Sequence, residues 1–276
     1  MMKISVCGKG GSGKSSIVTL LANRARDRGY QVLVVDSDES NSGLYRLLGF
    51  DIPPTPLMEL AGGKKRVQRQ MKSGFSPGES EHQMNVLAQH EISIGDIAYP
   101  YILQRDGIRL VSVGKILQSL EGCACPMGVL SREFLKKLRL KDKEITIVDM
   151  EAGVEHFGRG VETSIDDVLT VVEPSWESIT LAERVNSLAA GSGVSNTWAV
   201  LNKVTSNEMA AKLKGELGRR GITVIGTIQY DPEIFEACFE GHQVRGGKST
   251  QEIGEVLDFL LSRLETGGEG RQNKLS

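Results

Sequence analysis

Across 276 residues, 33 Lys and Arg oppose 35 Asp and Glu, a net charge of −2, so no strongly basic surface is forced and a nucleic-acid partner is not expected. No apolar run approaches the roughly 18 residues that a membrane-crossing helix needs. The N-terminus enters a strand pattern directly, without a basic stretch and a cleavable apolar one, so a soluble cytoplasmic protein with no membrane partner is expected.

In chain order, short apolar runs alternate with longer amphipathic stretches. Strands are predicted at Lys3–Cys7, Gln31–Val35, Ile108–Val113, Glu144–Asp149, Asp167–Val172, Thr197–Asn202 and Thr223–Gln229. Several are near-continuous Val, Ile and Leu, as befits strands buried on both faces. Helices are predicted at Lys14–Arg28, Ser42–Leu48, Met127–Leu138, Trp176–Ala190, Asn207–Arg220, Pro232–Glu240 and Gln251–Leu264. The alternation argues for parallel βαβ units and an α/β fold, a doubly wound, mostly parallel sheet of about seven or eight strands flanked by helices. The expected organisation is one domain over residues 1–265, with a long insertion at 51–107 between the second and third strands. The polar, Gly-rich tail 266–276 is expected to be disordered. Within the insertion, Lys64-Lys65-Arg66 reads as a solvated charge run rather than a partner site.

The chemistry starts between the first strand and first helix, at Gly8-Lys9-Gly10-Gly11-Ser12-Gly13-Lys14-Ser15-Ser16. Glycines there let backbone N–H groups turn inward around a phosphate, and the helix dipole points at the same place. Lys14 would reach the β- and γ-phosphates and the Ser15 hydroxyl would sit on Mg²⁺, which makes a P-loop. Lys9 is a second lysine that an ordinary P-loop does not need.

A bound triphosphate also calls for carboxylates at neighbouring strand ends. Asp36-Ser37-Asp38-Glu39-Ser40-Asn41 and Asp149-Met150-Glu151-Ala152-Gly153 supply them. Asp149 ends an apolar run and fits a Walker B position, its carboxylate holding Mg²⁺. Gly153 could bring its N–H to the γ-phosphate, and both stretches would act as switches.

Four cysteines complete the inventory, expected as thiols, metal ligands or catalytic groups in a reducing compartment. Cys7 and Cys238 read as small buried residues. Cys123 and Cys125, in Gly122-Cys123-Ala124-Cys125-Pro126, precede a helix, where thiolates are stabilised and become better ligands. Two cysteines are half of a usual zinc site, so a second chain would complete it. Soft sulfur donors suit Ni²⁺, Zn²⁺ and Fe–S clusters alike.

Lys9-Gly10-Gly11-Ser12-Gly13-Lys14-Ser15 resembles the deviant Walker A motif of the MinD/ParA-type ATPases. That resemblance implies ATP or ADP with Mg²⁺ as cofactors, ATP hydrolysis, and a homodimer in which Lys9 reaches the other subunit's nucleotide. It also implies that Asp38 lies at the switch I position that orients the attacking water and stands near Mg²⁺. Asn202 and Lys203, in Val200-Leu201-Asn202-Lys203, match the adenine-reading strand end. Tyr230, Asp231 and Pro232 match the loop that closes over adenine.

With the Cys pair and Glu151–Gly160 after the Walker B aspartate, the chain looks like the CooC-type nickel-insertion ATPases of carbon monoxide dehydrogenase and acetyl-CoA synthase maturation. The resemblance implies Cys123 and Cys125 as ligands for Ni²⁺ or Zn²⁺ at the dimer interface, and one of those enzymes as client. An Fe–S-bridged redox protein like nitrogenase iron protein, and a positioning ATPase, are the alternatives.

Overall fold

The computed structural model describes residues 1–73, 87–115, 125–152, 164–192, 194, 196–245 and 247–272, with side chains described as far as residue 263 and only the backbone of Lys72, Ser73 and Cys125. The chain enters through β1 (Met2–Gly8), turns through the glycine loop into α1 (Lys14–Asp27), and returns as β2 (Gln31–Ser37). Three short helices follow, α2 (Leu44–Leu47), α3 (Leu57–Leu60) and α4 (Lys64–Ser73). Then come β3 (Ile92–Ser93), β4 (Ile102–Arg105), β5 (Ile108–Ser112), α5 (Cys125–Lys137), β6 (Leu138–Arg139) and β7 (Glu144–Met150). The second half runs β8 (Asp167–Val172), α6 (Trp176–Gly191), β9 (Thr197–Val204), α7 (Asn207–Arg219), β10 (Val224–Gln229), α8 (Pro232–Glu240) and α9 (Lys248–Gln272).

Eight strands form one sheet in the order β10-β9-β8-β1-β7-β2-β5-β4, and β3 pairs with β6 in a separate two-stranded ladder. All seven predicted strands are in the large sheet and run parallel. The eighth, β4, is antiparallel to β5 and forms the edge. It lies at the end of the predicted insertion, which is therefore partly integral to the sheet. Its hairpin turns on Asp106 and Gly107, with φ of 48° and 79°. Two consecutive positive φ values are what a tight two-residue hairpin needs, and Asp-Gly accepts them at little cost.

The strands are apolar on both faces because helices cover both. Ile4 and Val6 of β1 and Val32 and Val34 of β2 pack with α1 and α9, through Leu21, Val256 and Leu257. Cys7, Leu33 and Val35 face the other way, onto α3, α4 and α5, through Leu57, Val67 and Phe134. A third cluster joins β8 and β9 to α6 and α7. At the far edge, β10 follows β9 with two register shifts.

The tail 266–276 was expected to be disordered; helix α9 is described through Gln272, and extending a formed helix costs far less than nucleating one. Residues 273–276 lie outside the described residues. One expectation changes: Cys238 was expected to be buried, but it is exposed. Helix α8 buries none of its residues fully: Ile234 and Ala237 pack partly buried against the core, while Phe235, Cys238 and Phe239 line a cavity.

Candidate nucleotide site

The sheet order brings the ends of β1, β7, β2 and β8 together around the glycine loop. β1 pairs with β7 on one side and β8 on the other, Val6 standing opposite Asp149 and Gly8 opposite Val171. β2 sits beyond β7, in a register that sets Asp36 beside Asp149. The two predicted carboxylate-bearing strand ends are therefore neighbours because the strands are.

Gly8, Gly11 and Gly13 have φ of 146°, 80° and 92°, a region that residues with a Cβ rarely enter. Two of these glycines are also needed for space. A Cβ on Gly8 would come 2.6 Å from the Val171 carbonyl oxygen, and one on Gly13 would come 2.3 Å from Asn202 Nδ2. Asn202 Nδ2 donates to the Ser12 carbonyl at 2.8 Å and Lys203 Nζ to the Gly11 carbonyl at 2.5 Å. The end of β9 thus clamps the loop from outside, while both residues line the cavity beside it.

That cavity is about 590 Å³, within the usual range for small-molecule sites. Gly10, Gly11, Gly13, Lys14, Ser15, Ser16, Asp38 and Asn41 form one end. Tyr230, Asp231, Phe235, Cys238 and Phe239 form the other. Pro232 instead opens α8, where the Asp231 carboxylate caps the helix by accepting from the Glu233 N–H at 3.0 Å and from Ser249 Oγ at 2.9 Å. Cys238 Sγ stands 3.3 Å from Ser16 Oγ.

Ser15 Oγ donates to Asp149 Oδ2 at 2.7 Å and accepts from Asn41 Nδ2 at 2.8 Å. Lys14 Nζ is 4.0 Å from Asp38 Oδ2. Asp38 Oδ1 is held by the N–H groups of Ser40 and Asn41 and by Ser40 Oγ. Asp149 is fully buried and, among the described residues, its Oδ1 has no hydrogen-bond partner. Burial, with the charge of Asp36 next, pushes the Asp149 carboxyl up to about 7, against the Ser15 hydrogen bond and the charge of Lys14. An orphaned carboxylate oxygen beside a serine hydroxyl is a hard-oxygen donor set that fits Mg²⁺.

Two contacts at the site were not foreseen. Lys9 Nζ donates to Glu173 Oε1 at 2.9 Å, and Lys203 Nζ lies 3.6 Å from Glu173 Oε2. The Lys9 hydrogen bond raises its own pKa. Partial burial pushes the Glu173 carboxyl up, but the bond to Lys9 and the two lysine charges outweigh it and hold the carboxyl below its usual value. The readable signal was an apolar run, Asp167–Val172, ending in a carboxylate beside the loop, as the β2 and β7 runs do. The second contact is Lys115, whose ammonium donates to Asp36 Oδ1 at 2.7 Å and to the carbonyls of Asp38 and Asn41. Burial pushes Asp36 up to about 6 against the charge and hydrogen bond of Lys115. Gly153 and Cys123 lie outside the described residues, and Cys125 is the first residue of α5.

Comparison with known proteins agrees with this geometry. Residues 4–244 match the family described as "CobQ/CobB/MinD/ParA nucleotide binding domain". The "Uncharacterized ATP-binding protein MJ0084" of Methanocaldococcus jannaschii is 41% identical over 94% of this chain and 99% of its own. The "Carbon monoxide dehydrogenase accessory protein CooC" of Rhodospirillum rubrum is 33% identical over 74% of this chain and 75% of its own. The septum site-determining protein MinD of Pyrococcus horikoshii, solved with Mg-ADP, superposes with a TM-score of 0.65 at 18% identity, over 94% of this chain and 95% of that one. A glycine loop strapped by the end of β9, carboxylates on adjacent strand ends and a matching sequence over nearly the whole chain have one common source: this protein belongs to the CobQ/CobB/MinD/ParA nucleotide-binding family of P-loop proteins.

Proposed function

We propose that this protein is an ATP-hydrolysing metallochaperone of the CooC type, cytoplasmic, in which a nucleotide-dependent homodimer binds Ni²⁺ and delivers it to carbon monoxide dehydrogenase or acetyl-CoA synthase. The observation that carries this reading is the 33% identity with the carbon monoxide dehydrogenase accessory protein over three-quarters of both chains. The Cys123-Ala124-Cys125 pair supplies the soft ligands such a cargo needs. No helix among the described residues is long and apolar enough to cross a membrane.

In this reading the loop N–H groups and Lys14 hold the phosphates, and Tyr230 and Asp231 flank the base together with Asn202 and Lys203. Ser15 and Asp149 would hold Mg²⁺, which when bound neutralises the charge of the phosphates. Asp38 orients the attacking water. Lys9 leaves Glu173 in its own chain and reaches the nucleotide of the second chain, as a trans-acting cation would in phosphoryl transfer. Closure around ATP brings the cysteines of two chains together, and hydrolysis releases them.

The test is metal analysis together with mass measurement by size-exclusion chromatography, with ATP, with ADP and without nucleotide. The expected result is about one divalent ion per dimer, with assembly responding to nucleotide and the metal lost in the Cys123→Ser/Cys125→Ser double variant. Metal content unchanged in that variant overturns the reading. A brown protein with cluster absorbance after anaerobic purification would favour the redox alternative instead.

A further inference from the structure

A second cavity, about 800 Å³, opens beyond the carboxyl ends of β2 and β5. It lies on the other side of Asp36 from the nucleotide site, where open α/β sheets commonly bind ligands. Its wall is largely apolar, with Pro54, Met58 and Met127; its polar lining includes Lys64, Lys65, Ser112 and Lys115, together with the carboxylates of Glu59 and of Asp36, the latter paired with Lys115.

Two of those polar groups lack hydrogen-bond partners among the described residues: Lys64 Nζ, a buried atom on a half-buried residue, and Ser112 Oγ, on a residue that is 4% exposed. Glu59, at the exposed rim of the same cavity, forms no ion pair with Lys64 among the described residues. Lys64 is thus not the solvated residue that its place in a charge run suggests. An ammonium buried without a counter-charge is costly, and the cost is relieved when an anion arrives. A roomy apolar cavity with a few convergent polar groups describes a small-molecule site.

We propose that this cavity binds a small organic anion, a carboxylate or phosphate on an apolar body, with Lys64 Nζ and Ser112 Oγ donating to the anionic group and the proline and methionine surface holding the rest. Lys115 lines the cavity while bonding Asp36 and the carbonyls of Asp38 and Asn41. It is therefore shared between this cavity and the loop that borders the phosphates. An occupant that draws on Lys115 changes how firmly that loop is held, and nucleotide and anion then alter each other's affinity by one common factor.

The experiment titrates the full-length protein, saturated with Mg-ADP, with 8-anilino-1-naphthalenesulfonate, an aromatic anion whose fluorescence reports binding. Saturable binding of one probe per chain is expected. Competition by phenyl phosphate or by benzoate then shows whether a phosphate or a carboxylate is preferred. Lys64→Met should weaken the probe at least tenfold and Lys64→Arg less than threefold. Lys64→Met should also melt at a higher temperature than the parent when no probe is present, since it removes an unpartnered charge. Ser112→Val, which removes the second donor, should weaken the probe severalfold and supplies the test should Lys64→Met not fold. Equal affinity in Lys64→Met and the parent overturns the proposal. So does probe binding that is lost in Phe239→Ser, which would place the probe on the exposed aromatic side of α8.

Discussion

Replacing Asp149 by Asn should make the metal-free protein more stable at alkaline pH and leave it less changed at acid pH. The Asp149 carboxyl sits at about 7 in the folded chain against an ordinary value of 3.8. A carboxyl raised on folding favours the folded state's protonated form. Its stability penalty is nearly absent below the ordinary value, grows as pH rises through the interval, and is complete above the raised one. At about 1.4 kcal/mol per unit, the penalty should deepen by about 2 to 3 kcal/mol between pH 5 and pH 8. Asn cannot ionise, so the difference in unfolding free energy between variant and parent should shift by that amount in the variant's favour. Any pH-independent cost of the amide cancels in this double difference. Asp36, at about 6, titrates in both proteins. The assay is urea unfolding followed by circular dichroism at the two pH values, with EDTA present. Adding Mg-ADP should flatten the parent's pH dependence and do little for the variant. A variant displaced from the parent by the same amount at both pH values refutes the reasoning, because Asp149 would then not be a strained buried acid.

Lys9→Ala should leave nucleotide affinity within a few-fold of the parent while reducing ATP turnover by about a thousandfold or more, the scale on which trans-acting cations contribute to phosphoryl transfer. Near-normal turnover in a phosphate-release assay would remove Lys9 from the chemistry. Gly13→Ala forces a Cβ to within 2.3 Å of Asn202 Nδ2 at a φ of 92°. The backbone strain and the lost clamp on Ser12 together should cost about 2 to 3 kcal/mol. Isothermal titration with Mg-ADP should show affinity falling at least tenfold, and unchanged affinity would mean that the loop is not set by β9.

The parallel strands were legible because each carries its own signal, a run of apolar residues buried on both faces. β4 was hidden by its surroundings. It has four residues, two of them polar, and it lies at the end of a stretch marked by prolines and charges. The Asp106-Gly107 pair between Ile102–Arg105 and Ile108–Ser112 was the local cue that a hairpin closes there. β3 and β6, at two residues each, fall below anything that periodicity can resolve. At the site, Gly8 to Ser15 could be read because the glycine-loop pattern is carried by consecutive residues. Glu173 and Lys115 could not be placed in the same way. They reach the site only because β8 lies beside β1 and β5 beside β2, and strand order is not written in any one segment. Lys64 is a partial exception of the opposite kind: Lys65 and Arg66 are exposed, as a solvated triplet should be, while the Lys64 ammonium is buried.

The two margins of the large sheet bear on how the molecule avoids its own kind. On one side β4 offers only four residues and ends in Arg105, whose side chain reaches back to the Gly49 carbonyl. On the other, β10 breaks register with β9 twice, and α9 packs across it. Short, charged or irregular margins are poor templates for a further strand. Aggregation by sheet extension is therefore discouraged at both ends of the architecture.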